Sequence, residues 1–246
     1  MSLRITTLAE RPEFAESLWD MDTAWPEFMF NDPIADLFYA VATTHYAEYI
    51  LVADDSGEPG RMVARGCMIP FNSRDGELPE DGWDAVIRRG WLTRDRGTTP
   101  DAVSALEITI RKDLLGAGLS RHMVAAMRER AARLGYSELL APVRPSQKHL
   151  EPRTPATEYA FRTREDGLPY DAWLRVHVRA GATVEKVAHR SMTISGTLGE
   201  WREWTGLPFD AEGPVEVPGA LVPVHCDVTH DHAVYVEPNI WVRHSL

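Results

Sequence analysis

Cysteine is scarce in this chain of 246 residues, and long apolar runs are absent. The two cysteines, Cys67 and Cys226, lie far apart in sequence, which is typical of a reducing compartment rather than of a disulfide framework. No uninterrupted apolar run approaches the ~20 residues of a membrane span, and the first residues lack the apolar core of a signal peptide. We therefore predict a cytoplasmic protein with no membrane partner.

Positive charge is also in short supply. Lys and Arg together number 26 against 37 Asp and Glu, a formal net charge of −11. Because nucleic acid binding normally requires a basic face, we expect no nucleic acid partner. An anionic ligand would have to be bound locally, by backbone N–H groups and a few arginines.

The pattern of apolar residues predicts alternating strands and helices. Residues 73–101 read as a loop with one helical turn at 81–90. The helix that begins near Leu119 joins two strands, so a parallel crossover is expected. The predicted strands are 3–9, a hairpin around the turn 55–60, 102–110, 137–143 and 183–196, and the predicted helices are 13–25, 32–49, the one from Leu119, 170–182 and a short one after the capping box of Thr197 and Glu200.

The segment RKDLLGAGLS (111–120) links a predicted strand to this helix. Two glycines at a helix start allow a phosphate to approach the exposed N–H groups of residues 115–119, where the helix dipole is positive. The segment lacks the Gly-Lys-Ser/Thr of a P-loop. Alternatively, the glycines only shape a tight turn between strand and helix.

The element order and this segment resemble the GCN5-related N-acetyltransferase (GNAT) superfamily, whose hallmark is Gln/Arg-x-x-Gly-x-Gly/Ala at this junction. Gly116 and Gly118 match the two small positions, and RLGYSELL (133–140) is similar to the family's end of helix and start of strand. Asp113 occupies the Gln/Arg position. An acid there is expected to repel a diphosphate unless it faces away or Arg111 and Lys112 compensate.

The resemblance implies an α/β fold with a mixed central sheet flanked by helices. It implies a single domain, 1–246, with a core of about 3–190 and a C-terminal elaboration of about 191–246. Acetyl-CoA or another acyl-CoA is the implied co-substrate, with no metal. The residues expected to bind it are Ile108, Ile110, Leu115, Gly116, Ala117, Gly118 and Leu119.

The resemblance also suggests the acid–base groups. Glu107 lies on the strand where the family often has its base, although it could equally face solvent. His177 stands four residues before Gly181, where the family usually has a tyrosine acid. An imidazole there can act as acid or base near neutral pH, whereas the alternative is a histidine packed on an amphipathic helix.

LRVHVRAGA (174–182) with Arg190 further resembles the GNAT-like domains of polyketide-synthase loading modules, which decarboxylate malonyl-CoA or transfer acyl groups to a carrier-protein thiol. In that resemblance Thr109 and His177 stabilise an enolate or deliver a proton, Arg190 holds a carboxylate or phosphate, and Trp25 binds substrate. Alternatively, Arg190 is a surface residue.

Two other groups of residues are set aside. The segment VHCDVTHDH (224–232) is rich in metal-ligand types but matches no closed zinc pattern, and it is better read as a polar hairpin turn. Cys67 is better read as a small apolar residue within a strand than as a nucleophile. We predict no metal site.

The leading hypothesis is an acyl-CoA-dependent acyltransferase that acts on a small molecule or on a carrier-bound thiol. One alternative is a GNAT-like malonyl-CoA decarboxylase or thioester-transfer enzyme. Another is a non-catalytic module that binds CoA or a partner. The oligomeric state is open, with a homodimer as the candidate assembly.

Overall fold

Nine strands form one mixed sheet in the computed structural model of this protein, which describes residues 3–55, 57, 60–73 and 76–246. In spatial order they run β1-β2-β3-β4-β5-β9-β8-β7, and β6 pairs with the other edge of β9. The strands are β1 (Leu3–Thr7), β2 (Ile50–Asp55), β3 (Met62–Phe71), β4 (Ala102–Ile110), β5 (Glu138–Val143), β6 (Ala182–Gly196), β7 (Gly213–Val215), β8 (Val224–Asp227) and β9 (His232–Ser245).

Helices pack on both faces of the sheet, so the predicted fold class, a mixed sheet flanked by helices, is confirmed. None of the helices in the described ranges is long and apolar enough to cross a membrane. They are α1 (Asp36–Tyr39), α2 (Ala42–His45), α3 (Gly82–Asp95), α4 (Leu119–Arg133), α5 (Ala156–Ala160), α6 (Ala172–Arg179) and α7 (Leu198–Thr205).

The strands β4 and β5 are parallel but barely paired. Their register contains the single pair Ser104 with Leu140, after which the two strands diverge. The connection between them runs through the glycine segment and α4, as the sequence predicts. Because the strands diverge, the backbone edge of β4 beyond Ala105 has no strand partner on that side, and a wedge-shaped opening splits the sheet.

The last strand lies in the middle of the sheet, which corrects the predicted boundary at residue 190. β9 fills the space between β5 and β6, with Val143 opposite Ile240 on one side and Ala182 opposite His244 on the other. β6 itself continues to Gly196. Residues 197–231, between β6 and β9, contribute α7, β7 and β8. Short alternating strands in the sequence do not reveal which of them is central.

The segment between β1 and β2 is less helical than predicted. Instead of helices over 13–25 and 32–49, it has 3-10 turns and the one-turn helices α1 and α2. The Asp32 carboxylate accepts a hydrogen bond from the Ile34 N–H, a local turn that competes with a helix start. The Leu18 carbonyl is held by Arg65 of β3. Tertiary contacts thus determine the path of this segment.

The predicted loop 73–101 contains the 14-residue helix α3. Of this loop, residues 74 and 75 lie outside the described residues, as do residues 56, 58 and 59 of the predicted turn. A Cβ on Gly90 would lie 2.4 Å from Cδ1 of Ile69 and 3.1 Å from the Pro70 carbonyl oxygen. The glycine therefore allows α3 to pack directly on β3. The same glycine lowers helix propensity by about 1 kcal/mol, which hid the helix in the sequence.

We expect Gly90→Ala to lower the free energy of unfolding by about 1–3 kcal/mol, because the added methyl group overpacks the contact with β3. Gly199→Ala is the matched control. It places the same methyl group on the exposed side of α7, 3.8 Å from the nearest side-chain atom, and should be neutral or stabilise by up to about 1 kcal/mol. Urea unfolding measures both, and equal small effects would contradict the close packing of α3.

Candidate active site

A cleft of about 1170 Å³ opens where β4 and β5 diverge. One half lies between the end of β4, the start of α4 and α6. The other half lies beneath residues 19–30. The predicted site residues that line the cleft are Trp25, Glu107, Ile108, Thr109, Ile110, Leu115, Gly116 and His177. Most of the predicted set therefore converges on one place.

Arg190 is a clear exception. Its side chain is exposed, it is not among the described residues that line the cleft, and its backbone N–H donates to the Glu80 carbonyl. This exposed position outside the cleft favours the alternative that Arg190 is a surface residue over the prediction that it holds a carboxylate or phosphate in the site.

The glycine segment forms the start of α4 with two left-handed residues. Gly116 has φ 84° and Gly118, the N-cap, has φ 76°, values that glycine adopts without strain. The N–H groups of Leu115 and Ala117 donate to local turn carbonyls. Within the described residues, the N–H groups of Gly116 and Gly118 have no backbone acceptor. Fewer backbone N–H groups are therefore free than the five predicted for residues 115–119. The free N–H groups of Gly116 and Gly118 lie at the start of α4.

Asp113 does not face the cleft. Its side chain is 61% exposed and accepts two hydrogen bonds from the Arg111 guanidinium, at 2.6 and 3.2 Å. These bonds hold the pKa of the carboxyl below its usual value. Asp113 is therefore not placed to repel a diphosphate in the cleft. Arg111 is paired with Asp113 and is not available to bind the diphosphate. Arg121 lies close to the glycines, and its Nε would lie 3.7 Å from a Cβ on Gly118.

Glu107 is buried at the floor of the cleft rather than facing solvent. Its carboxylate accepts hydrogen bonds from Arg65 Nε at 2.8 Å, from Thr109 Oγ1 at 3.3 Å and from Cys67 Sγ at 3.4 Å. Arg65 balances its charge, and both side chains are less than one-tenth exposed. One carboxylate oxygen is thus tied to the guanidinium, while the other is held only by a hydroxyl.

The Cys67 thiol and the Tyr39 phenol, which lie near Glu107, stay uncharged. Burial raises the pKa of the Cys67 thiol well above its usual value, and the adjacent Glu107 charge raises it further. Burial and Glu107 act on the Tyr39 phenol in the same way, so its pKa is also well above the usual value. Cys67 is therefore a packed, uncharged thiol within β3.

A second buried ion pair lies across the cleft and was missed by sequence reasoning. Arg144, after β5, donates to Glu237 at 2.8 Å, and Tyr235 and Asn239 donate to the same carboxylate at 2.8 and 2.9 Å. Glu237 is fully buried. The signal in the sequence was a charged residue inside the apolar run VYVEPNIWV (234–242).

Each arginine also packs against a tryptophan of the N-terminal segment. The Arg65 guanidinium lies 4.8 Å from the centre of the Trp19 ring, and that of Arg144 lies 5.6 Å from the Trp25 ring. Arg65 sits on β3 and Arg144 at the end of β5, so the segment is anchored on both sides of the opening. Trp25 thus lines the cleft, and its ring packs against the Arg144 guanidinium.

Three carboxylates that line the same half of the cleft remain uncompensated. Asp22, Glu27 and Asp36 form no ion pair with any described residue. The two lining arginines are already paired with buried glutamates. This half of the cleft therefore carries net negative charge, next to the faces of Trp19 and Trp25, an environment that attracts cations.

His177 projects from α6 into the other half and meets a histidine that sequence reasoning missed. Its Nδ1 lies 2.9 Å from Nε2 of His244, on β9. Both rings are buried, and both line the cleft. Burial lowers the pKa of His177 to about 3, helped by His244, and burial with the Arg128 charge lowers that of His244 to about 4. Both imidazoles are neutral at pH 7.

The histidine-rich segment at 224–232 does not bring three metal-ligand side chains together. His230 hydrogen-bonds to Asp227 at the surface. Throughout the described ranges, no three His, Cys, Asp or Glu side chains are grouped so as to hold a metal ion.

Comparison with known proteins identifies one curated relative. The arginine N-acetyltransferase avaD of Aspergillus versicolor is 31% identical to this chain over an alignment of 271 positions. The alignment covers 98% of this chain and 93% of the relative. No family model matches the chain.

Two solved structures have the same fold. The loading GNATL domain of CurA from Lyngbya majuscula superposes with a TM-score of 0.60 at 14% identity, covering 100% of this chain and 98% of that one. The GphF GNAT-like decarboxylase in complex with isobutyryl-CoA gives 0.56 at 14% identity, covering 100% and 99%. At this identity the likeness concerns the fold alone.

The histidine pair makes stability depend on pH. Above pH 6.5 both imidazoles are neutral in the folded and the unfolded chain. Below 6.5 the unfolded chain binds protons that the folded chain excludes, so stability falls towards pH 4 and then 3 by about 1.4 kcal/mol per pH unit and group.

We expect the double variant His177→Leu/His244→Leu to lose less stability than wild type between pH 7 and pH 5 in urea unfolding. His230→Gln, at an exposed histidine, is the control and should behave as wild type. If the free energy of unfolding of the double variant fell with pH as steeply as that of wild type, the two histidines would not be buried as neutral imidazoles.

Proposed function

The chain belongs to the GCN5-related N-acetyltransferase superfamily and is an acyltransferase, and we propose that it transfers an acyl group from a CoA thioester to a nitrogen atom of a cationic small molecule. The observation that carries the acceptor class is the uncompensated charge of Asp22, Glu27 and Asp36. The relative named as an arginine N-acetyltransferase makes arginine the first acceptor to test.

The half of the cleft beside α4 suits the thioester. The free N–H groups of Gly116 and Gly118, the dipole of α4 and the charge of Arg121 favour a diphosphate at the helix start. The unpaired edge of β4 over Ile108–Ile110 offers backbone groups to the amides of the pantetheine arm, in the manner of an added strand. Leu115, more than half exposed at the rim, offers apolar contact.

The acceptor half suits a cation. A guanidinium or ammonium group entering beneath residues 19–30 would meet the carboxylates and the faces of Trp19 and Trp25. It would gain charge-assisted hydrogen bonds and cation–π contacts. Arg65 and Arg144 do not repel it strongly, because each is held by a buried glutamate. The charge of this half favours a small cation over a carrier-bound thiol as the acceptor.

The reaction needs two proton transfers. A cationic acceptor first loses one proton, for which the less engaged oxygen of Glu107 is suited. Its nitrogen then forms the C–N bond, the C–S bond breaks, and the second nitrogen proton moves to the CoA sulfur. His177 faces the same cleft from the opposite side and is suited to that second transfer. Thr109 holds the Glu107 carboxylate.

Decarboxylation of malonyl-CoA is the second candidate, since Thr109 and His177 do lie in one cleft. Among the described residues that line the cleft, no free cation is available for the malonyl carboxylate, because both lining arginines are paired and Arg190 is at the surface. Incubation with malonyl-CoA alone separates the two reactions. Release of acetyl-CoA without acceptor would favour decarboxylation and count against the proposed transfer.

With acetyl-CoA, we expect arginine to release CoA thiol at a higher kcat/KM than citrulline, which has nearly the same shape but a neutral side chain. In the triple variant Asp22→Asn/Glu27→Gln/Asp36→Asn the KM for arginine should rise about tenfold or more, because the attraction for the cation is lost. The affinity for CoA, measured by calorimetry, should not change.

The matched control is Asp20→Asn, which removes an exposed carboxylate of the same segment outside the cleft. It should leave KM unchanged. Equal turnover of arginine and citrulline, or a triple variant with unchanged KM, would contradict a cationic acceptor.

A pair of variants tests the thioester half. Asparagine and aspartate both tolerate the left-handed backbone of Gly118 and have the same size, so Gly118→Asn and Gly118→Asp differ only in charge. We expect Gly118→Asp to bind CoA about tenfold more weakly than Gly118→Asn, because its carboxylate meets the diphosphate. Equal affinity of the two variants would place the diphosphate elsewhere.

A further inference from the structure

The pairing of His177 with His244 is unexplained by packing. The two rings come from different elements, α6 and β9, and approach to 2.9 Å between Nδ1 of His177 and Nε2 of His244. Trp173 packs edge-on against His177 at 4.4 Å between ring centres. Polar rings in such a place are normally replaced by apolar residues unless their nitrogen atoms are used.

Two nitrogen atoms of the pair are buried without a hydrogen-bond partner in the part of the chain that the structure describes, Nε2 of His177 and Nδ1 of His244. The Nε2 of His177 is buried and accepts or donates no hydrogen bond within the described residues. The side chain is only 4% exposed, yet it lines the cleft. A buried ring nitrogen without a partner, at the wall of a substrate cleft, is placed to meet a group of the substrate.

We propose that His177 is a proton shuttle between the acceptor nitrogen and the CoA sulfur, and that His244 is the positioning residue that fixes its tautomer. This inference rests on the proposed acyl transfer. In the resting pair, His177 Nδ1–H donates to His244 Nε2, which leaves the lone pair of His177 Nε2 directed at the reacting atoms.

The protons balance in this scheme. When the acceptor nitrogen has attacked the thioester carbon, it carries one proton too many. His177 Nε2 takes that proton and passes it to the sulfur as the C–S bond breaks. The pair then returns to its resting state with the same two protons, one on Nδ1 of each ring, so no outside acid or base is consumed.

The surroundings of the pair keep both rings uncharged at rest. Burial lowers the pKa of both rings, His244 lowers that of His177 further, and the Arg128 guanidinium on α4 lowers that of His244. All of these disfavour a standing imidazolium, so the lone pair is free at pH 7 and a captured proton is released readily. A carboxylate in place of His244 would trap the proton on His177 instead.

The far side of His244 has no partner either. Its Nδ1 is buried and makes no hydrogen bond with the described residues. In the proposed arrangement this nitrogen carries the proton of His244, and Nε2 of His244 accepts from His177.

Two variants at position 244 test the positioning role. Gln places a carbonyl oxygen near the position of His Nε2 and can still accept from His177, whereas Leu cannot. We expect kcat with acetyl-CoA and arginine to fall about 10²-fold in His244→Leu and less than about tenfold in His244→Gln, with KM for both substrates little changed. His230→Gln is the control and should match wild type. Equal losses in the Gln and Leu variants would overturn the proposal.

The pH profile gives a second readout. Since both pKa values lie far below 6.5, wild-type kcat should not titrate near pH 6.5 on account of His177. Arg128→Gln removes a charge that lowers the pKa of His244, so the acid limb of kcat should move to higher pH. An acid limb at 6.5 in wild type, or one that does not move in Arg128→Gln, would contradict a coupled neutral pair.

Nitrogen NMR tests the tautomer without any substrate. In protein labelled with ¹⁵N-histidine at pH 7, His177 should show a protonated Nδ1 and an unprotonated Nε2, with assignment from His177→Gln and His244→Gln. The opposite tautomer would overturn the shuttle even if acyl transfer is found. If the expected tautomer is seen but arginine and other cations are not acylated, the failure lies in the proposed acceptor instead.

Discussion

The divergence of β4 from β5 after a single parallel pair is the constraint on which the rest of the structure depends. It leaves two strand edges unsatisfied inside a sheet, and unsatisfied backbone groups need a ligand, water or another segment. The glycine segment at one end of the opening and residues 19–30 at the other divide the space into two halves of opposite character. One half offers N–H groups and Arg121, and the other offers carboxylates and aromatic faces.

Two buried ion pairs keep the opening in shape. Arg65 with Glu107 and Arg144 with Glu237 each take a charge out of water, which costs several kcal/mol per ion before their mutual attraction is counted. Pairs of this kind add little net stability. They do fix the orientation of the paired side chains, since a buried guanidinium tolerates few arrangements of acceptors. Here they hold the N-terminal segment over the cleft while cancelling the positive charge that a cationic acceptor would otherwise meet.

Local signals were predictable from the sequence and long-range partners were not. The strand 102–110, the helix after Gly118 and the cap at Thr197 follow from periodicity and capping, which act over a few residues. His244, Arg144 and Glu237 enter the site through pairings across about 60 to 105 residues of chain, for which no local pattern exists. The helix α3 was hidden because Gly90 serves its packing against β3 at the expense of propensity. The surface position of Arg190 shows the limit of a resemblance that does not fix strand register, since one step along a strand turns a side chain to the other face.

The central position of β9 has a consequence for how the protein is made. On a ribosome the chain emerges from its N-terminus, and β5 and β6 are complete long before residues 232–245 appear. Until then the two strands expose the edges that β9 will join, and no earlier element can take its place. Because His244 arrives with that final strand, the site is assembled in the same event that closes the sheet. A chain that stalls or is truncated before β9 would therefore present open edges prone to aggregation, and its cleft would lack His244.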